Sequence, residues 1–213
     1  MNFSEKTTQA YKELQKAYRS INMDELTILT GSNGSGKSLI RKQIPFLMAN
    51  FLNLDHPSKT QGMVLSTSME SRTASKPEFG ALSSALHDTE WIATSQNTYS
   101  SIKSLFNLVR IDSKSKYLII DEFEIGCGEE TVLALTNYIN ENISQLRADG
   151  QIIGALIITH SRIGVENLIH DSFINIQGLT KDQWLTRKIE PIDLDELDKN
   201  ELFFYIRDNK GQS

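Results

Sequence analysis

A chain of 213 residues, 39% hydrophobic and 23% charged, is long and apolar enough to bury a core without disulfides or structural metals. Its net charge of −5 argues against a general polyanion binder, though a local basic patch stays possible. The single cysteine, Cys127, excludes an intrachain disulfide and a cysteine-rich zinc site; no run reaches the ~18 apolar residues of a membrane span, and the polar N-terminus lacks a signal core, so one cytoplasmic domain over 1–213 is expected.

Tyr11, Leu14, Tyr18 and Ile21 fall on one stripe of a helix over residues 4–21, with Ser4 as its N-cap. Lys6, Lys12, Lys16 and Arg19 lie among acidic and polar neighbours and read as its solvated face. Leu26-Thr27-Ile28-Leu29-Thr30 is β-branched and aliphatic, which predicts a strand. Gly31-Ser32-Asn33-Gly34-Ser35-Gly36-Lys37-Ser38 then fits G-x-x-x-x-G-K-[ST] without a mismatch, with Gly34 as an additional glycine. An apolar helix follows over 37–52, and Pro45 inside it should kink or split it.

Asp55 to Gly62 is a turn-rich connector, and Met63 to Thr67 reads as a second strand. Residues 68–98 form the expected small insert or lid: a hydroxyl-rich loop carrying Glu70 and Arg72, a short helix around Ala81 to His87, and Trp91 as a core or interface anchor. Arg72 reads by default as a solvated loop residue. Thr94-Ser95-Gln96-Asn97-Thr98 is a capped helix start, continued by Ile102, Leu105, Phe106 and Val109 at helical spacing. Tyr117 to Ile120 is a compact apolar run, the pattern of a central parallel strand, and it ends in Asp121-Glu122. Val132, Leu135, Ile139, Ile143 and Leu146 share one face of a helix over 129–148, closed by Asp149-Gly150. Ile152 to Ile158 is another buried strand, ending in Thr159-His160-Ser161. A short helix, a strand near 173–176, a strand around Trp184 to Ile189 and a helix over 194–206 complete the chain, with Asp193, Asp195, Glu196 and Asp198 suited to that last helix's first turn. Alternating strands and helices predict an α/β fold with a mostly parallel sheet.

The residue types at three strand ends specify the chemistry. Glycines let a loop backbone wrap a phosphate, and its N–H groups form an anion nest at a helix N-terminus. Ser32, Asn33, Gly34, Ser35, Gly36, Lys37, Ser38 and Leu39 are the candidate phosphate contacts, with Lys37 reaching the β- and γ-phosphates. Ser38 and Asp121 are the candidate Mg²⁺ ligands. Glu122 is placed to orient and deprotonate an attacking water, and His160 to contact the γ-phosphate.

These motifs resemble the ABC-type ATPase family, particularly soluble members related to DNA-repair and chromosome-maintenance ATPases. Gly31 to Ser38 corresponds to Walker A, Leu118 to Glu122 to Walker B with its glutamate, Thr159-His160 to the switch histidine, and Phe123 to Glu130 to the D-loop; the likeness spans roughly 25–177. The family's Leu-Ser-Gly-Gly-Gln signature is absent, and Ser95 is its positional counterpart for a contact to the partner subunit's nucleotide. Glu70 stands nearest the family's Q-loop glutamine and would complete the metal set. The N-terminal helix replaces the family's β-subdomain, and Tyr11 or Tyr18 is left either to stack on the base or, at this spacing, to pack in the core. The resemblance implies ATP and Mg²⁺ as cofactors, ATP-driven head-to-tail homodimerisation, an unidentified protein or DNA partner and no membrane association. Two other classes remain open: a P-loop kinase passing the γ-phosphate to a small acceptor, and a nucleotide-dependent regulatory module without hydrolysis.

Overall fold

Short β-branched and aliphatic runs become strands here because both of their faces are covered. The computed structural model describes residues 3–32, 34–68, 94–111 and 114–188. Five strands, β1 (Leu26–Thr30), β2 (Val64–Thr67), β3 (Lys116–Asp121), β4 (Ile152–Ile158) and β5 (Ser172–Asn175), pair in parallel in the order β2-β3-β4-β1-β5. Alternation of side chains divides their apolar residues between the two faces. Leu26, Ile28, Leu118, Ile120, Ala155 and Ile157 pack on one side against α3 (Thr94–Ile111) and α4 (Glu129–Ala148). Leu29, Tyr117, Ile119, Leu156 and Ile158 pack on the other against α1 (Phe3–Arg19) and α2 (Lys37–Phe51). Two short helices, α5 (Arg162–Asn167) and α6 (Lys181–Thr186), flank β5. The chain therefore has an α/β fold with a parallel sheet between helical layers.

The order of the strands decides which loops meet at the carboxyl end of the sheet. β4 lies between β1 and β3, so the residues after β4 sit between the glycine loop after β1 and the acids at the end of β3.

Several expectations need correction. Pro45 does not split α2, which runs unbroken from Lys37 to Phe51. The proline removes one backbone hydrogen bond, while Ile40, Ile44 and Met48 are buried along one face and hold the helix to the sheet. Ser4, expected as the N-cap, falls within the range of α1. Tyr11 is 59% exposed and leaves the expected stripe, while Leu14 and Tyr18 pack partly buried against the sheet, Ala17 joins them as a buried residue, and Ile21 is buried just past the helix. The strand expected around Trp184 is the helix α6. Thr180 starts it with a capping box: its hydroxyl accepts from Gln183 N at 3.2 Å, and Gln183 Oε1 accepts from Thr180 N at 2.9 Å. Trp184 is fully buried within it. The insert from 69 to 93, with Glu70, Arg72 and Trp91, and the helix expected over 194–206 lie outside the described residues.

One glycine fixes how the N-terminal connection meets the sheet. The register of β3 on β4 slips between Lys116 and Tyr117, so that Tyr117 pairs with Gly154. A Cβ on Gly154 would stand 2.4 Å from Met23 O and 2.6 Å from Glu25 O, both backbone atoms that have no free direction to move. Gly154→Ala is expected to destabilise the fold by about 1–3 kcal/mol, the cost of overpacking a close-packed interior. Urea denaturation reads this as a lower midpoint at unchanged slope; an unchanged midpoint contradicts the packing described.

Candidate functional site

The loop between β1 and α2 is shaped by residues that tolerate unusual backbone. Gly36, the N-cap of α2, has φ +98°, and a Cβ there would lie 2.8 Å from Leu14 Cδ1. Any other residue would be strained there and would force the Leu14 side chain to shift. The N-terminal helix thus rests directly on the glycine loop.

Lys37 extends back across this loop. Its Nζ donates to Ser32 O at 2.9 Å and Gly31 O at 3.2 Å, and the residue is 7% exposed. Burial lowers its pKa, while Glu122, then Asp121 and Glu124, oppose that shift. The ammonium therefore lies in the field of three carboxylates from the end of β3. Ser38 is exposed in the first turn of α2. Leu39 N donates to Gly36 O at 2.9 Å and its side chain is 40% exposed, so its N–H is spent inside the helix. Ser35 N donates to Ser32 O at 3.2 Å, and Ser32 Oγ accepts from Gln177 Nε2 at 2.8 Å. Gly34 has φ +73° with open space around it, and Asn33 lies outside the described residues.

At the end of β3, Asp121 is buried and pairs with Arg41, Nη1 to Oδ2 at 3.1 Å. Burial pushes the Asp121 carboxyl up to about 6, with Arg41 pulling it down and Glu122 and Glu124 adding to the rise. Arg41 lies four residues after Lys37, on the same face of α2. Glu122 has φ +53°. A left-handed non-glycine costs about 1–3 kcal/mol and is stored where the surroundings over-determine it. Here Glu122 N is held by Ile158 O at 2.9 Å, and the turned backbone brings Glu122 Oε1 to 3.5 Å from His160 Nε2.

Glu124 ties the ends of β3 and β4 together. Its Oε1 accepts from His160 N at 2.5 Å, and Thr159 also hydrogen-bonds the carboxylate. Burial raises its pKa against these bonds, and Oε2 is a buried atom without a hydrogen-bond partner among the described residues. The sequence pattern marks out no role for Arg41, and it includes Glu124 only within the D-loop stretch Phe123 to Glu130. Helical spacing from Lys37 was the available signal for the first, and the repeated acid two positions after Glu122 for the second.

Burial, reinforced by Lys37, lowers the pKa of His160, and Glu122 opposes the shift. The ring is therefore neutral at pH 7. A depressed histidine adds stability that is present above its unfolded pKa of about 6.5 and is lost as pH falls through its lower folded value. His160→Asn removes this dependence. Acidification from about pH 7.5 to about pH 5 should thus cost the wild type more unfolding free energy than the variant; parallel losses would contradict the burial of the ring.

The structure brings Lys37, Asp121, Glu122 and His160 to one end of the sheet. Ser95 is half-buried in the first turn of α3, which packs on the loop after β3: a Cβ on Gly126 would meet Thr94 Cγ2 at 2.5 Å. Among the described residues, no three His, Cys, Asp or Glu are placed to hold a metal by protein ligands alone. The hard oxygen donors of Ser38 and Asp121 fit Mg²⁺, which takes one or two protein oxygens and completes its shell with phosphate and water. Glu70 lies outside the described residues. Among the described residues, no helix is long and apolar enough to cross a membrane.

No protein-family model and no curated protein matches the chain. Among solved structures, that of C. elegans PCH-2 is similar in fold at a TM-score of 0.39 and 13% identity, over 80% of this chain. The chain spans 41% of the length of that structure.

Proposed function

We propose that this chain is a Mg²⁺-dependent ATP-binding protein and an ATPase of the ABC type, with hydrolysis coupled to head-to-tail dimerisation. The observation that carries the reading is the convergence of Lys37, Asp121, Glu122 and His160 beneath one glycine loop, with Glu122 Oε1 3.5 Å from His160 Nε2. The loop and Lys37 cradle the β- and γ-phosphates, at the cost of Lys37's bonds to the Gly31 and Ser32 carbonyls. Ser38 and Asp121 would hold Mg²⁺, which neutralises charge across those phosphates. Arg41 then gives up part of its hold on Asp121.

Glu122 takes the proton of a water whose oxygen attacks the γ-phosphorus; the bond to the β-phosphate oxygen breaks, and ADP and inorganic phosphate leave. His160, fixed through Glu124, keeps the ring beside this event. Catalysis is positioning plus electrostatic stabilisation. A kinase requires neither Glu122 nor His160, which favours water as the acceptor. Ser95 is the residue proposed to reach the partner subunit's nucleotide, and a protein or DNA partner is proposed to receive the work of opening and closing.

The test is steady-state ATP hydrolysis against protein concentration. Turnover rising more steeply than linearly supports the dimer; strict proportionality leaves the hydrolytic site and removes the dimer from the account.

A further inference from the structure

A recess of about 200 Å³ lies between α1 and the turn after β5, lined by Ala10, Glu13, Ser32, Ser35, Ile176 and Gln177. It shares Ser32, Gly34 and Ser35 of the glycine loop with the phosphate site. The sheet order sets the direction. His160 and Asp121 end β4 and β3, to one side of β1; Ile176 and Gln177 follow β5, to the other. A triphosphate whose γ end lies under His160 and Glu122, and which runs on across the loop, heads toward β5, where this recess begins.

Its walls are built rather than accidental. Asn175 Oδ1 accepts from Gln177 N at 3.0 Å and Leu179 N at 3.2 Å, which fixes the turn. Gln177 Nε2 then donates to Ser32 Oγ at 2.8 Å, coupling the turn to the loop. Across from it, Ala10 and Glu13 stand one helical turn apart on α1, and Leu14 beside them presses on Gly36. Glu13 Oε1 is steadied by Gln9 Nε2 at 2.9 Å. Ser35 Oγ is a buried atom with no hydrogen-bond partner among the described residues. The volume is below the ~300–1,000 Å³ that encloses a whole drug-sized ligand, and suits one part of a nucleotide.

We infer that this recess receives the nucleoside end of the triphosphate, so that α1 is half of the binding site and Glu13 accepts from a ribose hydroxyl or a base amine. The inference rests on the phosphate-loop reading above. It also assigns the base a different place from Tyr11, whose hydroxyl accepts from Gln15 Nε2 and whose ring is exposed.

Titration calorimetry of the full chain with Mg²⁺, using ATP and inorganic tripolyphosphate as separate ligands, tests it. Ala10→Trp fills the recess from an exposed helix position, and Glu13→Gln removes the acceptor charge. Both variants should bind ATP about tenfold or more weakly while tripolyphosphate affinity stays at the wild-type value. Glu13→Gln gives the answer if Ala10→Trp fails to fold by circular dichroism. ATP affinity unchanged in the folded variants, or both ligands weakened alike, overturns the inference. If the wild type binds neither ligand, the phosphate-loop reading itself fails and takes this one with it; tripolyphosphate binding without the recess effect removes the inference alone.

Discussion

Glu122→Gln is expected to lower ATP turnover by about 10²–10⁴-fold, the contribution of a positioned general base, while ATP affinity is retained. The substitution keeps size and hydrogen-bonding shape but cannot accept the water's proton. It also keeps the backbone demand, because glutamine meets the same constraint as glutamate at φ +53°. The fold should thus be indifferent to the change and the chemistry should not. Phosphate release measured beside equilibrium ATP binding separates the two effects. In an ABC-type dimer the variant accumulates as an ATP-bound dimer, seen by size-exclusion chromatography with light scattering. ADP release that appears only with an added acceptor alcohol would point to a kinase, and unchanged turnover would remove Glu122 from the mechanism.

Lys37→Met should have an opposite balance of binding and stability. Lys37 Nζ now donates to two loop carbonyls, and in the complex it would donate to phosphate oxygens instead. Each hydrogen bond to a charged group contributes about 1.5–3 kcal/mol, so ATP affinity should fall at least about 10–100-fold. Burial already disfavours the charged form of Lys37, and a methionine keeps the apolar stem without that charge. The nucleotide-free variant should therefore melt no lower than the wild type. What disappears is the rise in melting temperature that Mg·ATP gives the wild type by binding the folded state. A lower melting temperature without nucleotide would show that Lys37 is chiefly a structural tie across its loop.

Much of this site could be read from residue order because each part was local. The glycine loop is one contiguous motif between a strand and a helix. Asp121-Glu122 and His160 follow apolar runs whose burial on both faces was evident from their composition. What escaped depended on three-dimensional neighbours. Arg41 meets Asp121 only because α2 lies across the end of β3. Glu124 reaches His160 N only because Glu122 turns the chain left-handed after the strand. In the N-terminal helix, counting large apolar residues picked Tyr11, whereas contact with the sheet selected small Ala17. Trp184 looked like strand because aromatics favour sheets; the Thr180 and Gln183 cap was present in the sequence and decided the matter. At Pro45 the lost hydrogen bond is local and visible in the sequence, whereas the burial of Ile40, Ile44 and Met48 that outweighs it depends on the sheet.

The claim beneath all of these is that one end of this sheet holds a magnesium nucleoside triphosphate. Equilibrium binding of ATP to the full chain, titrated with and without Mg²⁺, measures it directly. The account predicts one ATP per chain with magnesium present and markedly weaker uptake after chelation. No uptake of ATP in either condition, in a protein shown to be folded, contradicts it.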